Sequence, residues 1–292
     1  MIFETITDYL EYQTNEFKKE ISQMDLLCDL RNVSFESGHL PDYNDRAQAL
    51  LYCLRYHFGY AFEYELIYSK YVLNEYSYDQ INVLSIGCGN GIDLWSLHHA
   101  IERNDTGIHV INYHGIDKVN WREYFFEENE GVSYHKCEVQ EFTKSLGRVD
   151  VLILPKSISE LSGSDLNHIA QIINACTNRI YIIASFRSDD FNLSKDKNMY
   201  INLIHKFVEY GFSVIRGVPD NCYYFEDDDA IITYYDDYYF PNDTLSLLMN
   251  LSSICNFSDE DGTTKSCNCH IERYPILKVN QVRFNCVLLE RE

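Results

Sequence analysis

An apolar segment that ends in three alternating glycines constrains this chain more than any other feature. Residues 81–93 read Ile-Asn-Val-Leu-Ser-Ile-Gly-Cys-Gly-Asn-Gly-Ile-Asp, with glycines at Gly87, Gly89 and Gly91. Apolar residues return at helical spacing from Leu94, so the segment predicts a strand, a tight turn and a helix. Glycines in such a turn let the backbone adopt positive φ and approach a ligand closely. The segment therefore predicts a ligand site at the edge of an α/β sheet.

The spacing of these glycines excludes two common nucleotide sites. A dinucleotide fingerprint requires G-x-G-x-x-G, and a phosphate loop ends in Gly-Lys-Ser/Thr. The chain has neither pattern, and no Lys or Arg follows the glycines to hold a phosphate. The G-x-G-x-G turn after a strand resembles the first motif of the class I S-adenosylmethionine-dependent methyltransferases. That resemblance implies a ligand with an amino-acid end, a ribose and an adenine, but no phosphate.

Strands and helices alternate from residue 81 to residue 219, which predicts a mostly parallel sheet covered on both faces. The predicted strands are 81–86, 109–116, 132–138, 149–154, 179–185 and 212–216, and the predicted helices are 91–103, 120–128, 164–176 and 197–210. A final strand over 282–289 matches the antiparallel last strand of the methyltransferase fold. We therefore expect an α/β, Rossmann-like, doubly wound sheet of seven strands with an antiparallel last strand.

The two remaining regions predict additions to this sheet. Residues 1–78 have helical periodicity, with a second helix opening at Pro41-Asp42 and a third over 60–66. No glycine–proline linker follows, so we expect a helical cap packed on a domain formed by residues 79–292. Residues 220–280 contain the acid run 226–229, a tyrosine–acid mixture and a polar stretch over 256–269. We expect an insertion there, with the polar stretch as a loop.

Residues at the strand ends match the ligand-binding positions of the family. The resemblance implies that the Asp117 carboxylate accepts both ribose hydroxyls; the alternative is an ordinary helix N-cap. It also implies that Glu138 takes the adenine amino group beside the Val139 N–H; the alternative is a solvated acid. The predicted contacts to S-adenosylmethionine are Gly87, Cys88, Gly89, Gly91, Asp117, Glu138, Val139, Leu154, Pro155 and Tyr64.

Methyl transfer makes few demands on catalytic residues, because alignment and exclusion of water suffice unless the acceptor must lose a proton. Lys156, Ser157 and Glu160, after the fourth strand, are candidates for orienting the acceptor, against the alternative of a capped strand-to-helix turn. This segment departs from the Asn/Asp-Pro-Pro-Tyr/Phe motif of DNA amino-methyltransferases, which argues against transfer to a base. The candidate general bases are His114, His135, Glu160 and Tyr64.

Two further patterns have both a functional and a structural interpretation. Tyr60, Tyr64 and Tyr68 share one helical stripe, which predicts either a pocket wall or simple packing. Soft thiolate and imidazole ligands suit zinc, but one residue between neighbouring cysteines is a poor zinc spacing, so free thiols are the default. The candidate zinc ligands are Cys255, Cys267, Cys269 and His270, with Cys222 or Cys286 needed to complete the set.

The composition of the chain restricts the classes of partner that it can bind and the compartment in which it is expected. Lys and Arg total 24 against 45 Asp and Glu, which gives a net charge of −21 and disfavours nucleic acid. No apolar run reaches about 18 residues, and acids rather than bases occupy the start of the chain. We therefore expect a cytoplasmic chain whose ten cysteines are mostly reduced.

Three functions remain open from the sequence. The first is an S-adenosylmethionine-dependent methyltransferase acting on a small molecule or a protein, with S-adenosylhomocysteine as product. The second is an RNA methyltransferase similar to ribosomal RNA enzymes. The third is a non-catalytic acidic interaction protein that keeps the methyltransferase fold. The oligomeric state does not follow from the sequence.

Overall fold

The structure is a computed structural model that describes residues 3–24, 27, 30, 42–121, 130–187, 190–223, 234–235, 238–254, 256–258, 264–266, 274–277 and 282–292. The chain divides into two compact units. One combines residues 1–62 with 231–278, and the other combines residues 63–230 with 279–292. The division predicted from sequence, a cap over 1–78 and a domain over 79–292 with an insertion, stays a proposal.

The described residues contain eleven strands. They are β1 (Gln80–Ile86), β2 (Val110–Asp117), β3 (Val132–Lys136), β4 (Val151–Pro155), β5 (Arg179–Ser185), β6 (Ser213–Arg216), β7 (Tyr234–Tyr235), β8 (Tyr238–Tyr239), β9 (Asn256–Ser258), β10 (Thr264–Ser266) and β11 (Phe284–Glu290). Seven of them lie in the second unit, and the four short strands β7 to β10 lie in the first. The helices are α1 (Ile6–Ile21), α2 (Arg46–Ile67), α3 (Ile92–Arg103), α4 (Gly163–Asn174), α5 (Asp190–Glu209) and α6 (Asn242–Ile254).

Seven strands form one sheet in the order β3-β2-β1-β4-β5-β11-β6. Strands β1 to β5 pair in parallel, whereas β11 runs antiparallel to β5 and β6. This arrangement confirms the predicted doubly wound sheet with an antiparallel last strand. The order reverses between β1 and β4, so the carboxyl ends of these two strands form the topological switch point where open α/β sheets bind ligands.

Helices cover both faces of this sheet. Side chains of α4 and α5 join one buried apolar cluster with alternate residues of β1, β4 and β5. Helix α3 lies against the opposite face, where Tyr113 of β2 donates a hydrogen bond to Asp93. The central strands are buried on both sides, which explains their continuous apolar sequence.

The first unit has its own buried contacts. Helices α1 and α6 meet at Thr14 and Thr244, whose hydroxyl oxygens lie 2.6 Å apart. The Thr7 hydroxyl donates to the carbonyl of Tyr239 over 2.8 Å, and Phe58 packs edge-on against Phe240. Buried polar side chains hydrogen-bonded in this way fix the register between segments that are distant in sequence.

Some element boundaries predicted from sequence were wrong. The second and third predicted helices are one helix, α2, because residues 46–67 contain no proline and the only glycine, Gly59, faces Ile276 too closely for a side chain. Helix α5 begins at Asp190 rather than at 197. The polar stretch 256–269, expected as a loop, contains the antiparallel pair β9 and β10. Most of the predicted helix 120–128 lies outside the described residues.

No helix in the described part of the chain is both long enough and apolar enough to cross a membrane.

Candidate functional site

The glycine turn connects β1 to α3 at the switch point. Its three glycines have φ of +70°, +55° and +84°, a region that L side chains rarely adopt. The backbone N–H groups of Gly87 and Cys88 donate to the carbonyl of Ile116, over 2.7 and 3.2 Å. The turn is therefore fixed against the end of β2 by its own backbone.

The three glycines have different steric surroundings. A Cβ on Gly87 would collide with Ser157, and a Cβ on Gly91 would collide with the Tyr134 hydroxyl. A Cβ on Gly89 would meet only the Trp121 ring, at 3.7 Å or more. Packing and positive φ together require the outer two glycines, whereas Gly89 has space for a ligand to approach its backbone.

Asp117 ends β2 directly beside this space. One of its carboxylate oxygens accepts the Gly89 N–H at 2.9 Å, and the other accepts the Val119 N–H at 2.8 Å. Burial raises the pKa of Asp117, while these two amide hydrogen bonds act in the opposite direction. Each carboxylate oxygen can accept more than one hydrogen bond, so the residue organises the turn and keeps acceptor capacity toward a ligand.

A second carboxylate, Asp93, lies in the first turn of α3 and is completely buried. The Tyr113 hydroxyl donates to its two oxygens over 3.0 and 3.1 Å. Burial raises the pKa of Asp93 to about 7, against the opposing effect of the Ser85 and Tyr113 hydroxyls and of two backbone N–H groups. The sequence analysis did not single out this residue.

The segment after β4 packs onto the glycine turn. The Ser157 hydroxyl donates to the carbonyl of Ile86 over 2.6 Å. The preceding residue, Lys156, has a φ of +57°, which is unusual for a side chain other than glycine. Its amine pairs with the Glu63 carboxylate at 2.8 Å and donates to the Phe186 carbonyl at 2.6 Å. Lys156 and Ser157 therefore connect the segment after β4 to the ends of β1 and β5 and to α2.

Burial dominates the electrostatics of this pair. It raises the pKa of Glu63, while the charge of Lys156 and the hydrogen bond to it act in the opposite direction. Both side chains are less than a tenth exposed. A buried ion pair of this kind is costly to break, because either partner alone would be an uncompensated charge.

A second charged cluster joins β4, β5 and α5. The Arg187 guanidinium and its backbone N–H both bond the buried Asp196 carboxylate, each at 2.9 Å, and the guanidinium also donates to the Ser159 hydroxyl. Glu160, one residue further, pairs with Lys118 at 3.5 Å. Burial raises the pKa of Glu160, Lys118 opposes the rise, and the charge of Asp117 adds to it.

The other predicted ligand contacts are dispersed along the same sheet edge. Glu138 is exposed, and its backbone N–H donates to the Glu141 carboxylate over 3.0 Å. Val139 and Leu154 belong to the buried apolar cluster beneath the edge. Pro155 is half-buried. Burial raises the pKa of the Cys88 thiol, and the charges of Asp117 and Asp93 raise it further.

The candidate general bases lie on different elements of the chain. The ring nitrogens of His114 and His135 lie 3.2 Å apart on neighbouring strands β2 and β3. The Tyr64 hydroxyl lies 3.4 Å from the Ser185 hydroxyl at the end of β5. Tyr60 belongs to the first unit and stacks on Tyr56. These positions remain predictions as base candidates.

The zinc hypothesis falls on residues that the structure does not describe, namely Cys255, Cys267, Cys269 and His270. Among the described residues, no three His, Cys, Asp or Glu side chains form a group that could hold a metal ion. No disulfide joins any two of the described cysteines, Cys222 and Cys286 included.

Sequence reasoning missed Asp93, Glu63 and Asp196. Asp93 and Glu63 had a visible signal, because each is an acid between apolar or aromatic residues of a helical segment, as in Ile92-Asp93-Leu94-Trp95, whereas Asp196 lies between two lysines and had none. An ionisable side chain on the buried side of a helix needs a partner or a function. What the sequence could not supply was the identity of the partner.

Comparisons with known proteins find similarity in structure only. No family model matches the sequence, and no curated protein is significantly similar to it. The plantazolicin methyltransferase BpumL, solved in complex with S-adenosylhomocysteine (SAH), is 14% identical, with a TM-score of 0.40 over 95% of this chain and 100% of that one.

Two further solved structures have similar scores. Magnesium protoporphyrin IX methyltransferase ChlM from Synechocystis PCC 6803 is 10% identical, with a TM-score of 0.41 over 90% of this chain and 93% of that one. A putative RNA methyltransferase, PH1948, from Pyrococcus horikoshii is 10% identical, with a TM-score of 0.36 over 79% of this chain and 82% of that one. Likenesses at this level carry no argument about activity or ligand.

The fold class rests on the strand order and the glycine turn. A doubly wound sheet with an antiparallel β11 between β5 and β6, and a glycine turn after β1, is the Rossmann-like fold of class I methyltransferases. The structure does not place the chain in a particular subfamily.

Proposed function

We propose that the protein is an S-adenosylmethionine-dependent methyltransferase that acts on a small-molecule or protein acceptor. The observation that carries the proposal is the pairing of an open Gly89 backbone with the Asp117 carboxylate, 2.9 Å from the Gly89 N–H. A carboxylate can accept strong hydrogen bonds from both hydroxyls of a ribose diol, and a residue without a Cβ lets the ligand approach the backbone closely. The turn itself, residues 87–93, contains no Lys or Arg that could pair with a phosphate.

The residues at the switch point fit the parts of this ligand. Asp117 would accept the ribose hydroxyls, and the Val139 N–H and Glu138 would face the adenine. When bound, the ligand supplies a methyl group that its sulfonium has already activated. The protein needs to bind and orient the two reactants and to exclude water. The glycine turn that would hold the ligand is hydrogen-bonded to the end of β2 on one side and is contacted by Ser157, which bonds the end of β1, on the other.

The acceptor side of the proposal rests on charge. A net charge of −21 opposes the approach of a nucleic acid and favours neutral or cationic acceptors. The proposal includes a cytoplasmic location, which the absence of disulfides among the described cysteines supports. The methylated atom and the acceptor itself are left open.

Calorimetric titration with S-adenosylmethionine and S-adenosylhomocysteine tests the function. We expect micromolar binding of both by the wild type and its loss in Gly89→Val, whose side chain would occupy the space described above. Gly211→Val is the matched control, because Gly211 also has a positive φ, +88°, and a Cβ there would meet only the Arg291 side chain, at 3.7 Å or more. Absence of binding by well-folded wild-type protein would contradict the proposal and favour the non-catalytic alternative. Salt-sensitive binding of RNA would favour the RNA enzyme.

A further inference from the structure

Asp93 differs from the other buried carboxylates of the chain. Four of them have a cationic partner, namely Glu63 with Lys156, Glu65 with Arg103, Asp150 with Arg148 and Asp196 with Arg187. None of the ion pairs among the described residues includes Asp93, although its side chain is completely buried. Its hydrogen bonds come from neutral groups only.

The groups that face Asp93 confirm this lack of positive charge. They are Ser85 of β1, Tyr113 of β2, Cys88 of the glycine turn and Tyr68 of the π-helical turn Tyr68–Val72. Burial raises the pKa of Tyr68, Tyr113 and Cys88 well above their ordinary values. All of these neighbours are therefore neutral between pH 6 and pH 9, and none can compensate the carboxylate.

The position of Asp93 at the helix start gives the negative charge a role. Helix α3 begins at Ile92, so the positive end of its dipole adjoins Gly91 and the glycine turn. A helix terminus of that sign suits an anion such as a phosphate and disfavours a cation. A carboxylate in the first turn cancels this field, and its own charge attracts a cation at the turn.

We propose that Asp93 is the buried counter-charge for a cationic ligand at the glycine turn. It makes the site prefer the positively charged sulfonium S-adenosylmethionine over the neutral thioether S-adenosylhomocysteine. The inference rests on the proposed function, since it assumes that this pair of ligands binds at the turn. Asp93 acts at a distance through its charge and positions no reacting atom.

The two ligands make a clean test, because they share the adenosine, the amino group and the carboxylate and differ in the sulfonium methyl. Affinities for both are measured by calorimetry at pH 8 in the wild type and in Asp93→Asn, which keeps an oxygen to accept from Tyr113. We expect the variant to bind S-adenosylmethionine on the order of tenfold more weakly, with the affinity for S-adenosylhomocysteine changed less than twofold. Equal changes for the two ligands, or no change, would overturn the inference.

Matched variants separate this effect from general damage. Glu65→Gln neutralises another fully buried carboxylate, whose partner is Arg103 at 3.2 Å, and it should leave the ratio of the two affinities unchanged. Asp117→Ala should weaken both ligands equally. If the wild type binds neither ligand, the proposed function itself fails. If it binds both and Asp93→Asn leaves the ratio intact, only the role of Asp93 fails.

Proton release supplies a second readout that needs no enzymatic turnover. A cation near Asp93 favours the ionised carboxylate, so binding of S-adenosylmethionine near pH 7 should release a proton, and binding of S-adenosylhomocysteine should not. Titrations in two buffers of different ionisation enthalpy measure this difference. Should Asp93→Asn fail to fold, Tyr113→Phe keeps the carboxylate and removes its hydroxyl donor, and it should move the proton release to higher pH. Equal proton release for the two ligands would contradict the proposal.

Discussion

The two halves of the sheet's carboxyl edge differ in whether a cationic side chain compensates their carboxylates. At the ends of β4 and β5, the buried carboxylates Glu63 and Asp196 each have a cationic side chain within 3 Å. At the ends of β1 and β2, Asp117 and Asp93 accept hydrogen bonds from neutral groups, and among the described residues neither is in an ion pair. In the first half, cationic side chains neutralise both carboxylates, and we call it the complete half. In the second half, neither carboxylate is neutralised by an ion pair among the described residues, and we call it the incomplete half. This difference supports the proposal that the ligand binds at the β1–β2 half.

Removing a partner from the complete half should have the largest effect on stability. Asp196→Ala leaves the mostly buried Arg187 guanidinium without its carboxylate, and we expect a loss of about 3–5 kcal/mol in the free energy of unfolding. Urea denaturation of the wild type and the variant measures this loss. A loss below about 1 kcal/mol would mean that the ion pair does not hold β5 to α5. It would contradict the claim that buried ion pairs stabilise this half of the edge.

Removing the charge of Asp93 from the incomplete half should instead increase the free energy of unfolding. The pKa of Asp93 rises from 3.8 to about 7 in the folded state, so folding favours its protonated form. The wild type should therefore lose stability as the pH rises from about 4 to about 7, by at most about 1.4 kcal/mol per pH unit from this residue.

Asp93→Asn should remove that part of the pH dependence and be more stable than the wild type at pH 8. Denaturation curves at pH 5, 6.5 and 8 give the slopes. Part of the slope should persist in the variant, because burial also raises the pKa of Asp117, Glu63 and Glu160. Equal slopes for the two proteins would show that Asp93 pays no penalty for burial.

The second carboxylate of the incomplete half should affect ligand binding. Asp117→Ala removes the acceptor of the Gly89 N–H and of the ribose hydroxyls in the proposed complex. We expect S-adenosylmethionine binding to weaken by about 1.5–3 kcal/mol, the range for hydrogen bonds to a charged group. Calorimetric affinities give the value, with a melting curve to verify the fold. An unchanged affinity would reduce Asp117 to a residue that organises the turn.

An exposed ion pair should have the smallest effect on the free energy of unfolding. Arg179 and Glu290 lie 3.8 Å apart, at the far end of the sheet from the glycine turn, with about half of each side chain exposed. Glu290→Ala should change the free energy of unfolding by less than about 0.5 kcal/mol. Urea denaturation verifies this, and a larger loss would mean that ion pairs stabilise this fold without being buried.

Much of the fold and part of the site could be predicted from the sequence because their signals are local. The apolar run before Gly87 predicts β1, and the six other strands of the large sheet lie within two residues of the predicted bounds. The position of Asp117 at the end of the second strand was also predicted, and the structure places it as the last residue of β2; its role toward a ligand stays a prediction. By contrast, the continuity of α2 was missed, because the aromatic run over 60–66 was treated as a separate helix although residues 46–67 contain no proline to interrupt one.

Charge compensation could not be predicted, because it depends on contacts between residues distant in sequence. Lys156 and Glu63 are 93 residues apart, and Tyr113 and Asp93 are 20 apart. Nothing near Lys156 in the sequence identifies Glu63 as its partner, and nothing near Asp93 shows that it lacks a cationic one. Such pairings appear only when the parallel strands bring their carboxyl ends to one edge.

The sequence by itself determined the α/β class, the glycine turn and the position of its acid at the end of β2. These follow from periodicity and from backbone conformations that only certain residues adopt, and both are properties of short segments. Only the tertiary structure decided which buried carboxylates are neutralised and which are not. That outcome depends on burial and on distances across the sheet, because the energy of a buried charge is set by the groups that surround it in space.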